Sequence, residues 1–100
     1  MKISFSLSLL LLTAQLALAG GLRGRVKADD GSNLGYATIY VKQTGSGTTT
    51  NENGLYDIAL PPGQYEIVFQ YVGYETQTRS VSIQEDYTEL NVVMKSQTVV

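Results

Sequence analysis

The chain has 100 residues, no cysteine and no histidine, and a formal net charge of −2 at pH 7. That inventory excludes disulfide stapling. It also removes the imidazole base of a serine triad and the His and Cys ligands typical of zinc sites. Lysine and arginine form no basic run, so the electrostatic footprint of a nucleic-acid binder is missing.

Met1 to Ala19 reads differently from the rest. Lys2 gives a positive start, Ile3 to Leu12 is a leucine-dominated apolar run, and Ala17-Leu18-Ala19 places small residues where a signal peptidase reads them. The apolar core is about half the roughly 20 residues a membrane span needs, so a cleavable signal peptide over 1–19 is expected rather than an anchor. With no cysteine after the small residues, no lipid-anchored start is expected. The mature chain would begin near Gly20. Of the 7 lysines and arginines only Lys2 precedes that cut, leaving 6, and all 9 acids follow it, so the mature charge is 6 − 9 = −3. The remainder suffices for one small domain, placed at 20–95, with 96–100 a short tail.

From Leu22 onward the hydrophobic period is two. Leu22, Gly24 and Val26 alternate with Arg23, Arg25 and Lys27, then Asp29 to Asn33 is a turn cluster. Ala37, Ile39 and Val41 form the next inward set, Gly45-Ser46-Gly47 breaks the chain, and Thr48 to Thr50 is β-branched. Asn53-Gly54 marks a short hairpin turn with Gly54 at positive φ. Tyr56, Ile58 and Leu60 point inward until Pro61-Pro62-Gly63 ends the strand. Tyr65, Ile67, Phe69 and Tyr71 share one face, Gly73 turns the chain, and Val81, Ile83, Leu90, Val92 and Met94 complete the inward positions. No helical stripe occurs after residue 21. Short strands between Gly, Pro and Asn turns predict an all-β, seven-stranded antiparallel sandwich, with Ile39 and Phe69 buried centrally.

Candidate chemistry is sparse. The acids Asp29, Asp30, Glu52, Asp57, Glu66, Glu75, Glu85, Asp86 and Glu89 fall mostly in turns or on outward phases, where solvated charge is the ordinary state. Asn51 to Asp57 superficially echoes a calcium loop but lacks the closing bidentate glutamate. Gly45-Ser46-Gly47 lacks the lysine and helix of a phosphate loop. No catalytic residue, metal ligand or cofactor is expected. Tyr40 and Tyr74 fall off the inward phase and are the candidate surface-contact residues.

Four blocks carry a resemblance. They are Gly24-Arg25-Val26 with Asp30-Gly31 and Gly35-Tyr36-Ala37-Thr38-Ile39-Tyr40-Val41; Gly47 through Tyr56; Leu60-Pro61-Pro62-Gly63-Gln64-Tyr65; and Tyr71-Val72-Gly73-Tyr74-Glu75. In this order they resemble the carboxypeptidase-regulatory-like domain, a transthyretin-like (prealbumin-like) sandwich. The resemblance implies a non-catalytic accessory module. In Gram-negative outer-membrane proteins such a domain follows the signal peptide. It precedes the plug and barrel of TonB-dependent receptors of the SusC type, or the barrel of an uncharacterised outer-membrane family. Export to the periplasm or outer membrane follows. The expected partner is an envelope protein or the barrel of a longer parent chain, and the chain is either a stand-alone module or a fragment of such a parent. A secreted carbohydrate- or ligand-binding module is the alternative.

Overall fold

The computed structural model describes residues 20–97, so the expected leader over 1–19 lies outside the described residues. Alternating apolar and polar side chains favour strands, and the described chain forms eight: β1 (Gly21–Ala28), β2 (Thr38–Val41), β3 (Gly47–Thr49), β4 (Leu55–Ala59), β5 (Gly63–Gln70), β6 (Gln77–Ile83), β7 (Tyr87–Glu89) and β8 (Val92–Met94). One sheet has the order β4-β1-β7 with β8 also on β1, and the other has the order β3-β2-β5-β6. The protein is an all-β sandwich of these two sheets.

The count of eight reduces to the expected seven on inspection of register. β1 pairs Gly21 with Tyr87 and Val26 with Val92, so β7 and β8 follow β1 in one unbroken register. The ladder is interrupted only at Leu90-Asn91, where the Asn91 side-chain oxygen accepts the Arg25 N–H at 3.0 Å in place of a backbone carbonyl. Gly24 lies at that break because a Cβ there would collide with the Leu90 carbonyl.

Two expectations are corrected here. Most pairings are antiparallel, but β7 and β8 run parallel to β1. The cause is the connection after β6. It is an arch from one sheet to the other rather than a hairpin, so β7 starts at the same end of the sandwich as β1. The second correction concerns Asn53-Gly54. Gly54 does sit at φ 81, but β3 and β4 belong to different sheets. The turn is also not a two-residue hairpin loop with both central residues at positive φ, since Asn53 does not hold positive φ. Instead Gly54 N–H donates to the Asn51 carbonyl at 2.9 Å, and the Asn51 side chain accepts the Asn53 N–H at 2.8 Å. This is a turn opened by Asn51 and closed by Gly54, the residue preferences of a type I turn.

The core fills with the inward phase of both sheets. Leu22, Val26, Ile39, Val41, Ile67, Phe69 and Met94 are fully buried. Ile39 stands directly across from Phe69, and the Phe69 ring meets the Tyr56 ring edge-on at 5.7 Å between centroids. That contact joins the two sheets through aromatic packing. Beyond β8, Gln97 N–H donates to the Gly73 carbonyl at 2.8 Å, Glu75 N–H donates to the Lys95 carbonyl at 2.8 Å, and Tyr74 bridges Ser96. Asp29 accepts both the N–H and the hydroxyl of Ser96 at 3.0 Å, and these bonds hold its carboxyl below the usual carboxylate range.

Thr50 is the buried polar residue of the described chain. Its hydroxyl donates to the Leu34 carbonyl at 2.7 Å and accepts the Ala37 N–H at 2.8 Å, which ties the 34–37 turn to the end of β3. Thr50→Val keeps the shape but strands a buried donor and a buried acceptor. It should lower stability by about 2–3 kcal/mol, read as a shifted urea midpoint at unchanged slope. An unchanged midpoint would show that water replaces both bonds.

Candidate functional site

The outward phase of β1 carries Arg23, Arg25 and Lys27, and neighbouring strands set their surroundings. Arg23 lies between Asp57 on β4 and Glu89 on β7 and stacks over the Tyr87 ring at 4.2 Å. Arg25 lies across from Leu55 on β4, beside Asn91, and Lys27 lies across from Val93 on β8. Among the described residues the one ion pair is Lys42–Glu66 at 3.7 Å, so none of Arg23, Arg25 and Lys27 is neutralised by a salt bridge. The Arg25 Nε is buried and meets no acceptor.

These side chains floor an open concavity of about 1090 Å³, walled by Tyr36, Thr48, Thr49 and Asn51. Four large apolar side chains are exposed on the described surface, namely Tyr36, Leu55, Val72 and Val93, and three of them (Tyr36, Leu55 and Val93) line this concavity. Tyr36 is 67% exposed and is the non-glycine residue held at positive φ, 66°. An aromatic residue rarely adopts that conformation, and here the Tyr36 N–H donation to the Thr50 carbonyl at 3.0 Å fixes it. Tyr56, at the inner side of the same wall, donates its hydroxyl to the Leu90 carbonyl at 2.6 Å, and burial pushes its pKa above the ordinary tyrosine value.

The two tyrosines singled out in the sequence lie elsewhere and apart. Tyr40 is half-buried on β2, opposite Val68, itself only 3% exposed on the outer phase of its sheet. Tyr74 is half-buried and packed against the core, its ring 5.7 Å from that of Tyr71. Neither lines the concavity. Tyr36 does line it, although nothing in the alternation of the sequence set it apart. Among the described residues no group of three or more His, Cys, Asp or Glu side chains is arranged to hold a metal ion.

A two-sheet sandwich with a charged concave face and a core closed by packing alone defines a small β-sandwich module. The profile described as the CarboxypepD_reg-like domain matches residues 22–100, and the chain belongs to this family. TonB-dependent receptor P39 of Formosa agariphila is 39% identical over 54 residues, which is 54% of this chain and 5% of the receptor. TonB-dependent receptor P3 of the same organism is 37% identical over 68 residues, which is 68% of this chain and 6% of that receptor. The chain thus matches only a small part of each receptor's length. Among solved structures, a cohesin–X–dockerin complex from Acetivibrio cellulolyticus superposes with a TM-score of 0.68 at 20% identity, over 77% of this chain and 58% of that one. The 3-chlorocatechol 1,2-dioxygenase of Rhodococcus opacus superposes with a TM-score of 0.62 at 11% identity, over 81% and 61% of the respective chains. Identities this low speak to the shared sandwich fold and to nothing chemical.

Proposed function

We propose that this chain is an exported, non-catalytic accessory domain on the periplasmic side of an outer-membrane receptor of the TonB-dependent kind, working by binding a protein partner. The observation that carries the reading is the family match over residues 22–100, together with relatives that are themselves TonB-dependent receptors. The parent receptor's barrel or a periplasmic protein is the natural partner. The residue inventory supports a binding role, because a chain without histidine or cysteine lacks the side chains that titrate near neutral pH unless a carboxylate is deeply buried. Two features favour a protein partner over a carbohydrate. Among the described residues the concavity carries a single exposed aromatic, Tyr36, rather than a contiguous stacking row, and β6 pairs only with β5, leaving an open sheet edge.

Mass spectrometry of periplasmic and membrane fractions tests the reading. The expected species begins near Gly20 and partitions to the periplasm or outer membrane. A chain that keeps Met1 to Ala19 in the inner-membrane pellet would overturn it.

A further inference from the structure

We propose that the concave outer face of the β4-β1-β7/β8 sheet binds an extended, acidic segment of a protein partner, Arg25 and Lys27 receiving its carboxylates and Leu55, Val93 and Tyr36 receiving its apolar side chains. This deepens the partner-binding reading above by naming the partner's chemistry.

Of the three cations on β1, Arg23 is flanked by Asp57 and Glu89, whereas Arg25 and Lys27 face Leu55, Asn91 and Val93 across the sheet. Asp57 and Glu89 line the same concavity, and the Glu89 carboxylate accepts from Asn91 beside Arg25, so the face holds three cations against two carboxylates with its excess positive charge toward Lys27. The Arg25 Nε–H is itself buried, so a partner's carboxylate meets Arg25 at its terminal guanidinium nitrogens. Arg25 and Lys27 are two residues apart on one strand, so their backbone positions lie about 7 Å apart. Alternate residues of an extended segment repeat at the same distance. Two acidic side chains at such positions match the two cations in register.

Exposed apolar side chains scattered singly are ordinary, but here three of the four large ones on the described surface gather around these two cations. Tyr36 is held there in a backbone conformation unfavourable for an aromatic residue. An acidic segment with apolar neighbours covers both kinds of surface at once. A nucleic acid fits poorly, because three cations neutralise few phosphates and Asp57 and Glu89 repel the strand. A neutral glycan leaves Arg25 and Lys27 unanswered.

The purified chain tests this without reference to export, so failure here is separable from failure of the fractionation experiment. The probe is a short fluorescent peptide alternating valine with glutamate, compared with the same peptide carrying lysine for glutamate and with an oligomer of uronic acid. Expected results are saturable binding of the glutamate peptide that weakens with salt, amide shifts clustered on β1, β4 and β8, and no binding of the lysine peptide. The Arg25→Gln/Lys27→Gln double variant should bind about tenfold more weakly or worse at an unchanged melting temperature. Should that variant fail to fold, Val93→Asp carries the test, since a carboxylate placed beside Lys27 should likewise reduce binding. Equal binding by the folded variants, shifts confined to another face, absence of binding, or a preference for the uronic-acid oligomer would each overturn the proposal.

Discussion

Phe69→Ala should lose about 3–5 kcal/mol of stability, measured by urea or thermal unfolding followed by circular dichroism. Phe69 is fully buried at the middle of β5, across from Ile39, which is also fully buried. Its ring meets Tyr56 of the opposite sheet at an interplanar angle of 76°, so it packs within its own sheet and across the sandwich. Truncation to alanine removes the transfer free energy of the ring and leaves a cavity between two sheets whose backbones are fixed by their ladders and cannot collapse into it. With no cysteine in the chain, no cross-link limits the unfolded state, and core packing carries the burden. Small domains have a total stability of about 5–15 kcal/mol, so the variant should sit near its unfolding midpoint under mild conditions. Phe69→Leu, which keeps much of the volume, should be markedly milder. A Phe69→Ala protein that melts with the parent would refute the burial assigned to this strand.

What the sequence disclosed, and what it withheld, follows from what alternation encodes. Period two tells which side chains share a face. It correctly set Leu22 and Val26 against Arg23, Arg25 and Lys27, and Tyr56 and Ile58 against Leu55 and Asp57. It does not tell which strand lies beside which. The parallel return of β7 and β8 along β1, and the parting of β3 and β4 into different sheets, depend on contacts between residues far apart in the chain. A turn signal such as Asn53-Gly54 reports local backbone conformation and is indifferent to whether the chain next pairs back or crosses to the other sheet. The candidate site was half legible for the same reason. Arg25 and Lys27 could be read as outward, but the arrival of Leu55 and Val93 beside them required the sheet order. Val68 shows the limit from the other side. It lies on the outer phase of β5 and is nevertheless buried, because its strand runs between β2 and β6 and Tyr40 stands opposite it.

Gly54→Val should be the most damaging change at a turn, costing about 3–4 kcal/mol from two separable causes. The first is conformational. Gly54 sits at φ 81, a region that costs an ordinary L-residue about 1–2 kcal/mol and a β-branched one more. The second is steric. A Cβ on Gly54 would lie 2.6 Å from the Val26 carbonyl oxygen and 3.2 Å from the Leu34 nitrogen. Those two groups are hydrogen-bonded to each other at 3.0 Å, and the Gly54 carbonyl accepts the Val26 N–H at 2.8 Å. Relieving the clash therefore pulls apart the junction of β1, the 33–34 segment and the turn before β4, at about 1 kcal/mol for each backbone bond lost. Gly31 separates the causes, because it holds a similar φ of 92 and a Cβ there would meet nothing within 4 Å. Gly31→Ala should show the conformational cost alone, and Gly54→Ala should show that cost plus the clash. Chemical denaturation of the two alanine variants side by side measures the difference. Equal midpoints would mean that the turn yields freely and that the close approach of Gly54 to Val26 contributes nothing to holding the sandwich together.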